Sequence, residues 1–248
     1  STDNLFVPSE TNYTDFLDEY GDTVKMMGAA PELDGAYELG EELAKRGIVA
    51  SVAHSSGNYD TAYESLNHGF SDITHIYNAC TSCYKEGVFR RAGTVEAALS
   101  DDRFSVQAIS DLVHLPVGVL RLIYKAKGSD KMYLITDGLE FSAFDMNEGE
   151  EFTQKNGVKV VYEDEVMKLS DRSCLAGSTA NGARLVRNMY KTVGVPLTEA
   201  VKMMTLTPAR VIGVDSYKGK IAEGYDADII LFDENVEVSS VMINGKLN

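Results

Sequence analysis

Along the first half of the chain, short apolar runs ending in polar residues alternate with segments whose apolar residues recur at helical spacing. That alternation is the rhythm of strand–helix units feeding a parallel sheet. Five strands are predicted: Val24–Ala30, Ile48–His54, Asp72–Tyr77, Phe104–Ser110 and Met132–Asp137. Between them, Asp34–Arg46 carries apolar residues at helical spacing behind an acidic start signal. Tyr59–His68 and Pro116–Lys127 read as amphipathic helices closed by Gly69 and Gly128. The fold class is α/β, and the spacing is that of a β/α barrel.

After Asp137 the rhythm changes. Phe152–Gln154, Val158–Tyr162 and Glu165–Leu169 are short, β-branched and separated by turns, which predicts a small antiparallel excursion. Helices resume at about Thr179–Thr192, Leu197–Thr205 and Pro208–Ile212, with Pro196 and Pro208 where helix starts tolerate them. The tail, Ile229–Phe232 and Val238–Ile243 followed by Asn244-Gly245, reads as strands with a hairpin turn. An eight-stranded barrel takes about 250 residues. Only five barrel-like strands precede the tail, and Ser1–Asn12 opens without a hydrophobic strand, so the expectation is a barrel represented by its later strands alone.

Composition narrows the partners. A chain of 248 residues, 44% hydrophobic and 25% charged, lies in the ordinary globular range. Its formal charge of −15 argues against an extended nucleic-acid partner, which would need clustered Lys and Arg. Three cysteines and a polar start fit a reducing, cytoplasmic setting, and no apolar run approaches the roughly 20 residues of a membrane helix.

The chemistry gathers at strand ends. Glu32 follows the first strand, His54 closes the second and His75 lies in the third. Asp111 and His114 follow the fourth, and Asp137 closes the fifth. Barrel enzymes collect reactive groups at the carboxyl ends of strands, where side chains from several strands share one mouth. Taken alone, a strand-end histidine is more often a hydrogen-bonded structural group, and a strand-end aspartate a cap. Three of four histidines at such positions outweigh that reading, whereas His68, before Gly69, reads as a solvated cap residue. One carboxylate and two neutral imidazoles suit a single Zn²⁺ or Fe²⁺ with a coordination position left for water. Such an ion lowers the pKa of water from about 15.7 towards 7. Asp137 is then the candidate base that takes the water proton and returns it to a leaving amine.

In order and spacing these motifs resemble the N-acetylglucosamine-6-phosphate deacetylases of the amidohydrolase superfamily. The matching segments are Ala30-Pro31-Glu32, Ala53-His54-Ser55, Thr74-His75-Ile76-Tyr77-Asn78-Ala79, Ser110-Asp111-Leu112-Val113-His114, Ile135-Thr136-Asp137-Gly138 and Leu175-Ala176-Gly177-Ser178. Later matches are Thr207-Pro208-Ala209, Lys218-Gly219 and Gly224-Tyr225-Asp226-Ala227-Asp228. The resemblance covers essentially the whole chain but about the last two thirds of a typical member. It implies a TIM-type (β/α)8 barrel, here residues 1–213 with a small β insertion near 150–170. Residues 214–248 would then be carboxyl-terminal strands of a small β-sandwich.

The resemblance further implies that Glu32, His54 and His75 hold one catalytic divalent metal, Zn²⁺ or Fe²⁺, and that Asp137 is the acid/base. His114 with Leu175, Ala176 and Gly177 would contact the sugar, and Asn78 and Ala79 the phosphate. The family's phosphate-binding arginine, offered to the neighbouring subunit of a homodimer, aligns with Arg90 across a loop about four residues longer than usual. Arg91 or Lys85 are the alternatives, and a guanidinium suits bidentate phosphate recognition better than an ammonium. Ala53, Leu112 and Gly138 replace the family's Gly, Gly and Ala. The expected reaction is hydrolysis of N-acetyl-D-glucosamine 6-phosphate to glucosamine 6-phosphate and acetate.

Cys80-Thr81-Ser82-Cys83 could be read as a metal or redox pair, but it has no second pair and no thioredoxin-like setting. The glycines of residues 176–182 could suggest a phosphate-cradling loop before a helix; a loop giving backbone donors to a sugar fits equally well, and Gly177 could simply permit a tight turn. Two rivals remain: another amidohydrolase acting on a different acyl-amino sugar or cyclic amide, and a catalytically silent barrel that serves as an assembly subunit.

Overall fold

The computed structural model describes residues 6–142 and 144–247; of the amino-terminal stretch Ser1–Asn12, residues 1–5 lie outside them. Helix α1 (Tyr13–Tyr20) leads into β1 (Met26–Ala29), α2 (Ala36–Lys45), β2 (Val49–Val52), α3 (Tyr59–Ser65) and β3 (Phe70–Ile73). A small hairpin, β4 (Tyr84–Glu86) and β5 (Phe89–Arg91), precedes α4 (Thr94–Ser100) and β6 (Ser105–Ala108). Helix α5 (Val117–Lys131) then delivers the chain to β7 (Met132–Leu134). Strands β1, β2, β3, β6 and β7 form one parallel sheet in that order, so every crossover joins neighbouring strands. All five strands predicted from the sequence are in this sheet.

Alternation along these strands sorts two faces, because successive side chains of a strand point to opposite sides. One face is apolar. Ala50, Val52, Ile73, Val106, Ala108, Met132 and Leu134 are buried against Leu39, Leu43, Val95, Ala98, Leu120 and Ile123 of the helices. The other face carries Ser51, Asp72, Ser105, Gln107 and Tyr133, also buried. Burial on both faces is what a parallel sheet under crossover helices requires.

Two boundaries differ informatively from the sequence reading. The third strand ends at Ile73 rather than Tyr77, because His75 and Tyr77 adopt positive φ of 29° and 73° and the chain turns out of the sheet. Helix α5 runs to Lys131 across a break at Gly128, whose φ of 61° and ψ of −178° are non-helical. Gly69 closes α3 and its following 3₁₀ turn at φ 88°, as its position suggested.

Past β7 lies an antiparallel sheet of four strands, β8 (Glu151–Thr153), β9 (Lys159–Glu163), β10 (Val166–Leu169) and β11 (Leu175–Ser178). Three were expected, and β11 is the addition. Helices α6 (Gly182–Arg187), α7 (Leu197–Met204) and α8 (Leu206–Val211) follow, with a π-helical stretch at Asn188–Val193. Strands β12 (Ile229–Phe232), β13 (Val238–Ile243) and β14 (Lys246–Leu247) make a three-stranded antiparallel sheet, turned at Asn244-Gly245 by φ values of 50° and 74°. That pair of positive φ is the twist-matched two-residue hairpin turn. Arg187 ties this sheet to the helices by donating to the carbonyls of Asn235 and Val236 at 2.7 and 2.9 Å. Among the described residues, no helix is long and apolar enough to cross a membrane.

Candidate active site

The carboxyl ends of the parallel strands are where the backbone is strained. His54, His75, Tyr77, Ala79, Leu112 and Asp137 all adopt positive φ without being glycine. Such conformations cost of order 1–3 kcal/mol each and persist where the surroundings impose them. His54 and His75 each stand two residues beyond their strand, β2 ending at Val52 and β3 at Ile73. The turn-out brings the two imidazoles together, with Nε2 of His54 2.9 Å from Nε2 of His75 and ring centroids 4.8 Å apart.

His75 is fixed from behind. Its Nδ1 lies 3.0 Å from the carbonyl oxygen of Asn78 and donates to it, so the neutral ring carries its lone pair on Nε2. Asn78 is itself locked, its backbone N–H donating to the His75 carbonyl at 2.9 Å and its amide reaching the carbonyls of His75 and Ile76. Burial first, and the neighbouring His75 second, push the His54 imidazole below its usual pKa against the pull of the Asp137 carboxylate. That favours the neutral ring a metal needs.

Glu32 reaches the same loop. Its Oε2 accepts from Ser55 Oγ at 2.7 Å and its Oε1 from the backbone N–H and Oγ of Ser56, the two residues after His54. A carboxylate has about four acceptor positions, so three serine contacts leave room for one more. Among the described residues, no group of three or more His, Cys, Asp or Glu side chains is assembled as a metal site. The donors nonetheless suit a divalent ion. Two zinc–nitrogen bonds of about 2.0–2.1 Å at a tetrahedral angle span roughly 3.3 Å, close to the imidazole separation, and the Nδ1 anchor of His75 is the usual support of a metal-binding histidine.

Asp137 stands three residues past β7, which ends at Leu134. Its backbone is held by β11, since Ser178 donates to the Asp137 carbonyl at 3.0 Å and Gly138 bridges Ser178 in parallel. This places Leu175, Ala176 and Gly177 on the strand that runs beside Asp137. His114 is nearly buried, its side chain 4% exposed, and its Nδ1 contacts Asp111 Oδ2 at 2.7 Å. Asp111 Oδ1 also accepts the backbone N–H groups of Val113 and His114. Burial opposes ionisation of Asp111, yet these His114 contacts hold its carboxyl below the ordinary value.

Arg90 lies apart from this cluster in sequence and element, exposed on β5 opposite Lys85. Arg91 pairs with Glu86 at 2.7 Å, whereas Arg90 has no side-chain partner among the described residues. His68 is the last residue of the 3₁₀ turn that Gly69 caps, and it contacts Glu41 at 2.7 Å and stacks on Tyr37 at 4.2 Å rather than standing free in solvent as a cap residue. Cys80, Cys83 and Cys174 are free thiols. Sequence reasoning missed the roles of Ser55 and Ser56 around Glu32 and the polar network centred on Asp72. The first had a visible signal, two serines directly after His54; the second had none without knowing which face of each strand was enclosed.

The family model for the amidohydrolase family matches residues 34–247. The chain is 33% identical over 232 residues to the N-acetylglucosamine-6-phosphate deacetylase of Haemophilus influenzae, covering 94% of this chain and 58% of that protein. It is 29% identical to the N-acetylgalactosamine-6-phosphate deacetylase of Escherichia coli O157:H7, covering 91% of this chain and 57% of that protein. A solved structure of the N-acetyl-D-glucosamine-6-phosphate deacetylase of Mycobacterium smegmatis, a mutant in complex with N-acetyl-D-glucosamine-6-phosphate, superposes with a TM-score of 0.87 at 28% identity. That match covers 97% of this chain and 61% of the solved one. The chain thus spans less than two thirds of the length of these relatives. With its ordered motifs, its parallel sheet and its strand-end histidines, the chain belongs to the amidohydrolase family.

Proposed function

We propose that the protein hydrolyses the acetamide of N-acetyl-D-glucosamine 6-phosphate, releasing acetate and D-glucosamine 6-phosphate. The observation that carries this reading is the His54–His75 pair, with His75 anchored through Asn78 and both set at the carboxyl ends of adjacent parallel strands. Similarity to deacetylases of 6-phosphorylated amino sugars supplies the substrate class.

His54 and His75 are assigned as ligands of one divalent ion, zinc or iron, with Glu32 as the third through the acceptor position its serine contacts leave open. When bound, that ion supplies Lewis acidity towards the amide carbonyl and the attacking water. Asp137 accepts a proton from the water as its oxygen bonds to the acetyl carbon. It then delivers a proton to the amine nitrogen as the carbon–nitrogen bond breaks. His114, with its Nδ1 committed to Asp111, has its Nε2 left for the sugar, and backbone groups of Leu175, Ala176 and Gly177 border the same mouth. Asn78 and Ala79 are assigned to the phosphate, with Arg90 as its guanidinium partner across a homodimer interface. Arg90, whose side chain has no partner among the described residues, is favoured over Arg91, which Glu86 already engages. The five parallel strands are read as part of an eight-stranded barrel, and β12–β14 as part of a small β-sandwich.

A second substrate deserves a direct comparison because a galactosamine-type deacetylase is among the relatives. The test is a deacetylase assay offering N-acetylglucosamine and N-acetylgalactosamine with and without the 6-phosphate. Preference for phosphorylated N-acetylglucosamine is expected. Indifference to the phosphate contradicts the substrate assignment, and preference for the galacto sugar transfers it to the epimer.

A further inference from the structure

On the buried polar face of the parallel sheet sits a carboxylate that the hydrolytic reading does not use. Asp72 is fully buried on β3. Its Oδ1 accepts from Ser105 Oγ at 2.6 Å and from the Tyr133 hydroxyl at 3.0 Å. Its Oδ2 accepts from Ser51 Oγ at 2.8 Å and from Gln107 Nε2 at 2.7 Å. These partners come from β2, β6 and β7, so one side chain on β3 links four of the five parallel strands. All four donors are neutral and no cation is among them. A carboxylate offers about four acceptor positions, and here each is filled.

The direction of the bonds matters as much as their number. A hydroxyl has a single proton, and Ser51 commits it to Asp72. The contact of 2.6 Å between Ser51 Oγ and Thr74 Oγ1 must then run from Thr74 to Ser51. Thr74 immediately precedes His75, and Ser51 lies three residues before His54. The backbone makes a parallel link, the Thr74 N–H donating to the Val52 carbonyl at 2.9 Å. The carboxylate therefore orients a chain of hydrogen bonds that ends at Thr74, one residue before His75, close to where β2 and β3 turn out of the sheet at strained φ angles. An apolar residue at position 72 would fill the space without setting any of these directions.

We infer that Asp72 is a positioning residue for the histidine pair, fixing through Ser51 and Thr74 the offset between β2 and β3 that sets the His54–His75 separation. The inference rests on the reading of that pair as metal ligands. Groups that orient ligands from behind typically change metal affinity by roughly 10–100-fold when removed. Ser105 and Tyr133 brace the other oxygen and act on strands that carry neither histidine.

The test is zinc affinity of the purified protein, measured by competition with a chromophoric chelator, beside the melting temperature of the metal-free form. Variants are Asp72→Asn, Ser51→Ala and Tyr133→Phe, with His54→Ala/His75→Ala as the reference for loss of the site. Expected are zinc affinities about 10-fold or more weaker in Asp72→Asn and Ser51→Ala, and within about 2-fold of the unaltered protein in Tyr133→Phe. A purely structural carboxylate would lower the melting temperature of all three and leave zinc affinity unchanged, which overturns the inference alone. Should Asp72→Asn fail to fold, Ser51→Ala carries the same comparison, because it deletes one hydroxyl and leaves the carboxylate three donors. Zinc binding that survives loss of both histidines removes the metal reading, and this inference with it.

Discussion

The backbone N–H of Ser178 donates to the carbonyl oxygen of Asp137 at 3.0 Å, joining the end of β11 to the turn that presents the candidate acid/base. Neither residue belongs to the parallel sheet, so the orientation of Asp137 depends on the four-stranded excursion as well as on β7. Gly177 makes the approach feasible. Its φ is +127°, and a Cβ there would lie 2.9 Å from the Asp137 carbonyl oxygen and 3.0 Å from Leu139 Cγ.

Gly177→Ala should therefore damage catalysis more than folding. Displacing a catalytic group by about 1 Å can cost on the order of 10²-fold in rate. Steady-state kinetics should show that loss in kcat, with an unchanged far-ultraviolet circular dichroism spectrum. Wild-type kcat in the variant would mean that β11 does not hold Asp137 in place.

The contact between β1 and β2 supplies a second case. A Cβ at Gly28 would stand 2.9 Å from the Ala53 methyl, so the alanine before His54 is accommodated by the lack of a side chain at Gly28. Gly28→Ala overpacks that contact and should lower stability by about 1–3 kcal/mol. The double variant Gly28→Ala/Ala53→Gly should recover most of the loss in urea titration. Additive behaviour of the two changes would show that the methyl groups do not compete.

Much of the sheet was legible because its signals are local. Met132–Leu134 and Val49–Val52 are apolar runs bounded by charges and turns, and a parallel strand enclosed on both faces needs nothing subtler. Helix α4 escaped notice because it has seven residues and its start is Gly93, which has no side chain to cap it; Glu96 instead reaches back to the Gly93 N–H at 2.7 Å. The strand-end positions of His54, His75 and Asp137 were readable, whereas the serine grip on Glu32 and the four-strand contacts of Asp72 depend on register. Register couples residues 21 to 61 positions apart in these contacts, and local periodicity does not carry it.

Lys127 gives a pH test of the fold away from the site. Its buried ammonium donates to the carbonyls of Ala98 and Asp101 at the end of α4, at 3.0 and 2.7 Å, and burial lowers its pKa to about 8. Below pH 8 the group is charged in folded and unfolded chains alike, and the fold bears the cost of burying it. Between about pH 8 and 10.5 the unfolded chain still binds the proton that the folded one has shed, so this group makes stability rise with pH. The rise should reach roughly 1–2 kcal/mol by pH 9.5, measured by urea unfolding relative to Lys127→Met. The variant should also be less stable at pH 7, because two carbonyls lose their donor. A stability difference between the two proteins that stays flat from pH 7 to 9.5 would contradict this placement of the lysine.

The hydrolytic reading turns on Asp137 moving a proton while the histidines hold the ion. The most direct measurement is kcat of Asp137→Asn on N-acetylglucosamine 6-phosphate, taken together with zinc or iron per chain in the same preparation. The expected result is a metal content equal to wild type with turnover lower by about 10²–10⁴-fold. Near-normal turnover in that metal-loaded variant would contradict it.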